Sequence, residues 1–489
     1  MDFLPSSNTA TVALLLFIAI GLVLVITDRP IYAVLVLSLG GTLFLPVGAG
    51  FDFPVVPPLG GRTLPYLILM LAILVLWSEK MRGVDFGRWP DLFVILLSLS
   101  PTITAQLNSD VLVWGPHTIQ GLDTWDGFSA GARTFMDVGL PYMVGRIMFH
   151  TSSDLRRLMI WIAGAGLIYS LLALVEIRLS PQLHNWVYGY HPHEVRFQMR
   201  WGGYRPMVFL VGGLAVGLFM VITSLVGFGL GRARVNVGFV PAKLVGPYLF
   251  VILVMCKSVA AIGYGLLLAP VVAWMRPRGV HLVALGLASV VILYPLLRTQ
   301  DWVPTQAIVD TAASMSERRA DSLLTRFDNE DRMLAHNWER FFFGWGGYGR
   351  GRVYDPRDGR DITLTDGQWM ILLSTGGFME WACFYTLLLW PVFLALTRLP
   401  RIRGPDAILM ACLLLVISTF ALDHLLNGFF MNFPFVLSGA AITLLKLLPR
   451  EESEVTRAGG EPATPSRTPG SDPSRSSLSS GLLGSNPRA

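Results

Sequence analysis

The residues of this chain that could do chemistry gather in one polar interval, Arg298 to Asp366, set between two apolar runs. From Ser316 to Trp369 it reads SERRADSLLTRFDNEDRMLAHNWERFFFGWGGYGRGRVYDPRDGRDITLTDGQW, rich in Arg, Asp, Trp and Gly. Asp366 is followed by Gly367 and then by an apolar run, so its carboxylate sits at the edge of the hydrocarbon. A carboxylate there can accept a proton from an incoming hydroxyl. Thr365 or Asp366 can equally cap the helix that follows, and spacing alone favours the cap. Glu330, Arg326 and Arg350 lie in the same interval. Trp345, Tyr348 and Trp369 lie there too, residues of the kind that membrane-interface belts use.

A second constellation is HNWVYGYHPHEVRFQMRWGGYRPM, from His184 to Met207. Arg196, Arg200 and Arg205 stand just before an apolar run, among Trp201, Gly202 and Gly203, which let backbone approach closely. That arrangement suits an anionic headgroup; snorkelling at the interface explains it about as well. His184, His191, His193 and Glu194 match no helix-face ligand spacing, so no metal site is expected. Lys257, in VMCKSVAAIGYG, is one of only four lysines. It is either an ammonium inside the hydrocarbon, a functional candidate by default, or the break between two spans.

These residues must be positioned by a membrane domain. The chain has 489 residues, 53% hydrophobic and only 15% charged. Apolar runs long enough to cross about 30 Å of hydrocarbon recur along most of its length. Backbone groups in lipid must be bonded within their own segment, so separate apolar runs imply an all-α polytopic bundle. Thirteen spans are expected near 10–27, 31–49, 64–78, 90–105, 127–148, 155–179, 206–227, 244–257, 258–275, 280–297, 368–397, 405–422 and 428–448. The first lacks a basic n-region and a cleavage site, and reads as an anchor. Cys256, Cys383 and Cys412 all lie in apolar runs, which implies no disulfide framework.

Basic residues in short connections set the orientation. Lys80, Arg82 and Arg88 form one cluster; the others are Arg156 and Arg157; Arg232, Arg234 and Lys243; Arg276 and Arg278; Arg398, Arg401 and Arg403. With thirteen spans all five share one side, expected to be cytoplasmic, which puts 298–366 outside. The segments Ser180 to Arg205 and Arg298 to Asp366 carry thirteen Arg and no Lys on the opposite side. Long loops are allowed that exception. The choice of Arg over Lys carries little weight, because the whole chain strongly prefers Arg. Residues 1–449 form the membrane domain. From about Arg450 the chain turns Ser-, Pro-, Gly- and Arg-rich and is expected to be a disordered cytoplasmic tail.

From roughly Pro141 to Met379 the chain resembles the O-antigen ligase and polymerase-like membrane proteins, in the branch associated with exopolysaccharide assembly. LPYMVGR at Leu140 to Arg146, LLALVEIRLSPQLHNWVYGY at Leu171 to Tyr190, and RWGGYRPMVF at Arg200 to Phe209 carry the resemblance. CKS at Cys256 to Ser258, RFDNEDRMLAHNWERFFFGWGGYGR at Arg326 to Arg350 and LTDGQW at Leu364 to Trp369 complete it. The ligase branch often has a histidine before the helix after its large loop, where this chain has Asp366; many ligases have an SR pair where this chain has Lys257. Both departures favour polymerase over ligase.

The resemblance implies a bacterial inner-membrane, inverting glycosyltransferase with its large loop in the periplasm. Its substrates would be a polyprenyl-diphosphate-linked oligosaccharide donor and a growing glycan acceptor. Asp366 would be the base, and Arg200, Arg205, Arg326 and Lys257 would neutralise the diphosphate, with Arg196, Glu330, Arg350 and Trp369 lining the substrate site. No cofactor, metal or nucleic acid is implied. Membrane lipids and polysaccharide export or chain-length proteins are the further partners. An O-antigen ligase, a peptidoglycan-type glycosyltransferase and a flippase for lipid-linked oligosaccharide are the alternatives; a flippase calls for related halves, and none is detectable in the sequence.

Overall fold

The computed structural model of the chain describes residues 7–53, 57–85, 87, 89–315, 317–364 and 366–458. Arg88, Ser316, Thr365 and the tail after 458 lie outside the described residues. The fold is all-α and polytopic. Among the described residues, seven helices are long and apolar enough to cross a membrane. They are α1 (Asn8–Ile26), α4 (Trp89–Leu107), α7 (Ser152–Leu179), α9 (Gly213–Ala233), α12 (Pro277–Thr299), α15 (Gln368–Arg398) and α16 (Gly404–Asp423). Shorter apolar helices stand between them: α2 (Pro30–Phe44), α3 (Leu64–Val75), α10 (Ala242–Met255), α11 (Val259–Trp274) and α17 (Phe433–Ala458). The apolar run at 127–148 is a jointed rod of α5 (Thr124–Thr134), a π-helical turn over Phe135–Gly139, and α6 (Leu140–Met148). Helices α8 (Leu183–Tyr188), α13 (Thr305–Met315) and α14 (Glu317–Trp338) lie in the polar connections, with three two-stranded hairpins. Every apolar run read from the sequence therefore holds a helix, although 45–49, 206–212 and 428–432 are not helical.

Local sequence starts and stops these helices. Proline occupies the first turn of α2, α3, α6, α12 and α16, where its missing N–H has no intrahelical partner to lose. Capping boxes open α5 (Asp123 with Asp126) and α7 (Thr151 with Asp154). Helices α9 and α16 are apolar all round and sit at the centre, with 89% of their apolar windows buried against 28% for α1 and α12.

The five basic connections lie together at one end of the bundle, Arg88 excepted as undescribed. Arg156 pairs with Asp406 (2.9 Å), and Arg232 donates to Val272 O (2.9 Å). Nearby, the buried Arg146 holds Asp91 at 3.1 Å and donates to Asp85 O and Thr443 Oγ1.

Several boundaries differ from expectation, and the break expected after the eighth span is present. The seventh span begins at Gly213 rather than 206, because the buried Glu176 carboxylate accepts the N–H groups of Met207 and Val208 (both 2.7 Å). The carboxylate fixes this segment, in which Val208 takes φ +52°, outside helical backbone space. The weak boundary after the eighth span is a true break, since Lys257 has φ +55° and separates α10 from α11. At the C-terminus α17 runs on to Ala458, past the expected tail boundary at 450, through the good helix formers Glu451, Glu452 and Glu454.

The segment after α12 is tied into the bundle. Helix α15 is kinked at Gly377 (φ +67°), and residues 341–346 enter the gap. Phe378 and Met379 N–H donate to Phe341 O (2.7 Å) and Phe342 O (3.0 Å), and Trp345 and Gly346 N–H donate to Ser374 O and Thr375 O (2.9 and 2.8 Å). The groups freed by the kink are thus satisfied by protein rather than left in hydrocarbon. Only glycine fits here: a Cβ on Gly344 would lie 2.5 Å from Gly377 N, and the reverse contact is as close. Thr104 and Asn108 of the α4 end clasp the same segment through Phe343 O (2.6 Å) and Gly344 O (3.0 Å).

A candidate active site at one end of the bundle

Helices α9 with α10 and α11 with α12 form successive hairpins, so Arg205, Lys257, Arg298 and Asp366 fall at one end, opposite the basic connections. Two groups of candidate residues assemble there.

The first group centres on Asp366. Its carboxylate pairs with Arg326 Nε at 3.1 Å, with side-chain exposures of 49% and 37%. The N-cap of α15 is Gly367, with no side-chain capping bond, so Asp366 does not cap the helix. Its other candidate role is thereby left free, and Thr365 lies outside the described residues. Arg326 projects from α14, which brings Glu330 one turn further along. Glu330 accepts from Tyr294 (3.0 Å) and from Arg298 Nε (3.1 Å). Arg298 is buried and also holds Asp331 at 2.8 Å and Phe327 O at 3.2 Å, so it fastens α14 to the end of α12. Burial pushes the Glu330 carboxyl above its ordinary range, against the pull of Tyr294 and Arg298. Leu364 N–H donates to Asn329 (3.2 Å) and Gln368 N–H to Asn427 O (3.2 Å), fixing the chain on either side of Asp366.

Arg326, Glu330 and Asp366 line a cavity of about 260 Å³, walled otherwise by apolar residues such as Phe327, Met370, Leu425 and Leu426. A groove of about 420 Å³ shares the walls α12, α14 and α15 and is almost wholly apolar, with Pro295, Trp338, Phe341, Phe378 and Trp381 among its lining.

The second group surrounds a short hairpin, Met199–Arg200 paired with Gly203–Tyr204. Lys257 Nζ lies so close to Gly203 that a Cβ there would stand 2.2 Å from it, so the break between α10 and α11 is packed against this turn. Arg205 is buried beside it; Nη2 donates to Phe197 O (3.2 Å), while Nε has no partner. Burial, with Arg200 nearby, pulls its pKa down to about 10. Arg200 is exposed and, among the described residues, reaches only Met199 O (3.0 Å). Arg196 is 73% exposed, pairs with Glu194 and lies over the Phe197 ring at 4.9 Å. No hydrogen bond or ion pair joins this group to Arg326 and Asp366 among the described residues.

No family model matches this chain, and no curated protein matches it.

The remaining sequence candidates are placed differently. Arg350 is fully buried. It donates to Trp345 O (3.2 Å), to Asp110 O and Gln120 O (both 2.9 Å), and to the Asp110 carboxylate (3.2 Å). Its guanidinium is spent on bracing the loop. Trp369 is buried edge-on to Tyr294 and presents no face to solvent. Trp345 is stacked on His336 at 4.1 Å and covered by Arg340 at 4.4 Å, whereas Tyr348 is 76% exposed. His184 is buried, with Nδ1 at Tyr190 O (2.8 Å) and Nε2 receiving Val47 N–H (3.4 Å). Among the described residues no group of His, Cys, Asp and Glu could hold a metal ion.

Sequence reasoning passed over Arg298, Tyr294 and Glu176. The last had a signal, since a carboxylate in an otherwise apolar run asks for a reason. The first two had none, because their partner Glu330 lies far along the chain.

Proposed function

We propose that this chain is an inverting glycosyltransferase that polymerises lipid-linked oligosaccharide repeat units at the outer face of a bacterial inner membrane. The donor glycan is carried on a polyprenyl diphosphate. The acceptor hydroxyl oxygen attacks the anomeric carbon, its proton passes to Asp366, and the bond to the diphosphate oxygen breaks with its electron pair going to the diphosphate. Arg326, with Arg200, Arg205 and Lys257, stabilises the charge that develops on the leaving group.

The observation that carries this reading is the Arg326–Asp366 pair at the mouth of a small cavity, a carboxylate and a guanidinium in contact and both open to solvent. A carboxylate that capped a helix would not be available in this way. The adjoining apolar groove suits an isoprenoid chain. Two cations against one hairpin, with one guanidinium nitrogen unpartnered, suit a diphosphate.

The test is purified protein incubated with a polyprenyl-diphosphate-linked repeat unit. A ladder of polymer supports the reading. Transfer of preformed glycan to a lipid acceptor makes the protein a ligase, and movement of the donor across a vesicle without a new glycosidic bond makes it a flippase.

A further inference from the structure

A separate set of polar groups lies between α2, α3 and the π-helical turn of the jointed rod. Arg62 stands just before α3, half-buried, with its guanidinium over the Phe430 ring at 5.6 Å. Its main-chain carbonyl accepts from Asn432 (3.1 Å), which fixes the backbone. The guanidinium itself has no hydrogen-bond acceptor and no ion pair among the described residues. Asp137, in the π-helical turn, and Arg133, one turn earlier, are both within electrostatic reach of it. Asp137 Oδ1 is buried and without a donor. Behind it the hydroxyls of Tyr66 and Ser38 are also buried and unpartnered; Tyr66 faces Ser38 and Thr42 without reaching hydrogen-bond geometry to either.

Buried polar groups are nearly always satisfied, so a carboxylate oxygen and two hydroxyls left open beside a half-buried guanidinium call for an occupant. The charges identify its class. Arg62 and Arg133 both lie within electrostatic reach of Asp137, and an Arg fork binds oxyanions in particular. Burial lowers the pKa of Arg62 and Arg133 lowers it further, with Asp137 opposing; an anion would relieve both costs. The π turn accounts for the placement, because such single turns re-aim side chains and recur at functional sites.

We propose that Arg62 and Arg133, with Asp137 and the hydroxyls of Tyr66 and Ser38, form a second binding site, for a carboxylate or phosphate oxyanion on a hydroxyl-bearing ligand. The guanidinium groups take the anion; the Asp137 carboxylate accepts from ligand hydroxyls. Arg62 lies at the same end of the bundle as Asp366, and the site shares no residue with that one, so it stands without the reading given for it.

Full-length protein in neutral detergent, titrated calorimetrically with glucuronate, inorganic phosphate and glucose, tests the site. One or both anions should bind and glucose should not; glucuronate alone points to an acidic sugar, phosphate to a phosphate group. Arg62→Gln should weaken binding about tenfold or more, the scale of one charge-assisted contact. Arg133→Gln, at an exposed position, gives the same direction where the first variant folds poorly. Asp137→Asn should tighten binding of inorganic phosphate, because it removes the repelling charge. Failure of both anions to bind the wild type, or equal binding by the wild type and the arginine variants, overturns the proposal. Weaker phosphate binding by Asp137→Asn also overturns it, since Asp137 would then merely support Arg62. Polymer formation is not part of the readout, so failure here leaves the Asp366 mechanism untouched.

Discussion

Replacing Asp366 by Asn separates chemistry from structure at the centre of the proposed site. Asp366 makes one ion pair, with Arg326, in which the side chains are 49% and 37% exposed, and it caps no helix. Exposed pairs of this kind contribute about 0.2–1 kcal/mol, so Asp366→Asn should leave the unfolding free energy within about 1 kcal/mol of wild type. The amide keeps the shape of the carboxylate and can still contact Arg326 through its oxygen, but it cannot take a proton. Loss of a general base typically costs a factor of about 10²–10⁴, equivalent to roughly 2.7–5.4 kcal/mol of barrier. The assay is the rate of polymer-ladder formation by purified protein from a lipid-linked repeat unit, measured beside a thermal melt of the same sample. A stable variant with rates at least about a hundredfold down is the expected result. Wild-type polymer from Asp366→Asn would refute the base and pass the role to Glu330. If activity instead fell only in step with the folded fraction, and fell equally in Arg326→Gln, the pair would be a structural tie.

Neutralising Arg205 or Arg200 to Gln should raise the donor concentration needed for half-maximal rate far more than it lowers the melting temperature; normal polymer from both would make them interface anchors. Arg350→Met should do the reverse, destabilising the protein by about 1–3 kcal/mol through the buried acceptors it abandons, visible in a thermal melt. Ser316 lies outside the described residues, so the exposed Asp358 carries the orientation test. A cysteine there should react with an impermeant thiol reagent in intact cells, against a low background from three buried native cysteines. The Asp110 clasp should be sensitive to acid. Partial burial pushes its pKa up, but Arg340 and Arg350 outweigh that and hold it below 3.8. Its contribution is therefore present above pH 3.8 and lost as the pH falls through the depressed value, and Asp110→Asn should flatten that limb of the stability curve.

How far the site was legible in the sequence varies residue by residue. Arg326, Glu330 and Asp366 were all named from their place in a polar interval, yet nothing in their spacing says that Arg326 meets Asp366 forty residues later. That meeting depends on α14 folding back across α12 under Arg298. Spacing alone favoured the cap over the free carboxylate, because both Asp366 and Thr365 are good caps, whereas the structure puts Gly367 at the N-cap. Arg350 shows the opposite limit: a polar-loop arginine reads as a ligand for substrate until the loop is seen to wrap it in carbonyls.

By itself the sequence determined that the chain is a polytopic helical bundle, and within a few residues where most of its helices lie. The reason is that hydrocarbon forces backbone bonds inside each apolar segment, so hydropathy and segment length are sufficient. Prolines and capping boxes act over one turn, so they too are local features. Tertiary structure alone decided which cations are free and which are spent, where α15 breaks to admit residues 341–346, and that Glu176 holds residues 207 and 208 out of a helix. Those outcomes depend on hydrogen bonds between groups far apart in the chain, and no local pattern encodes which distant carbonyl a guanidinium will find.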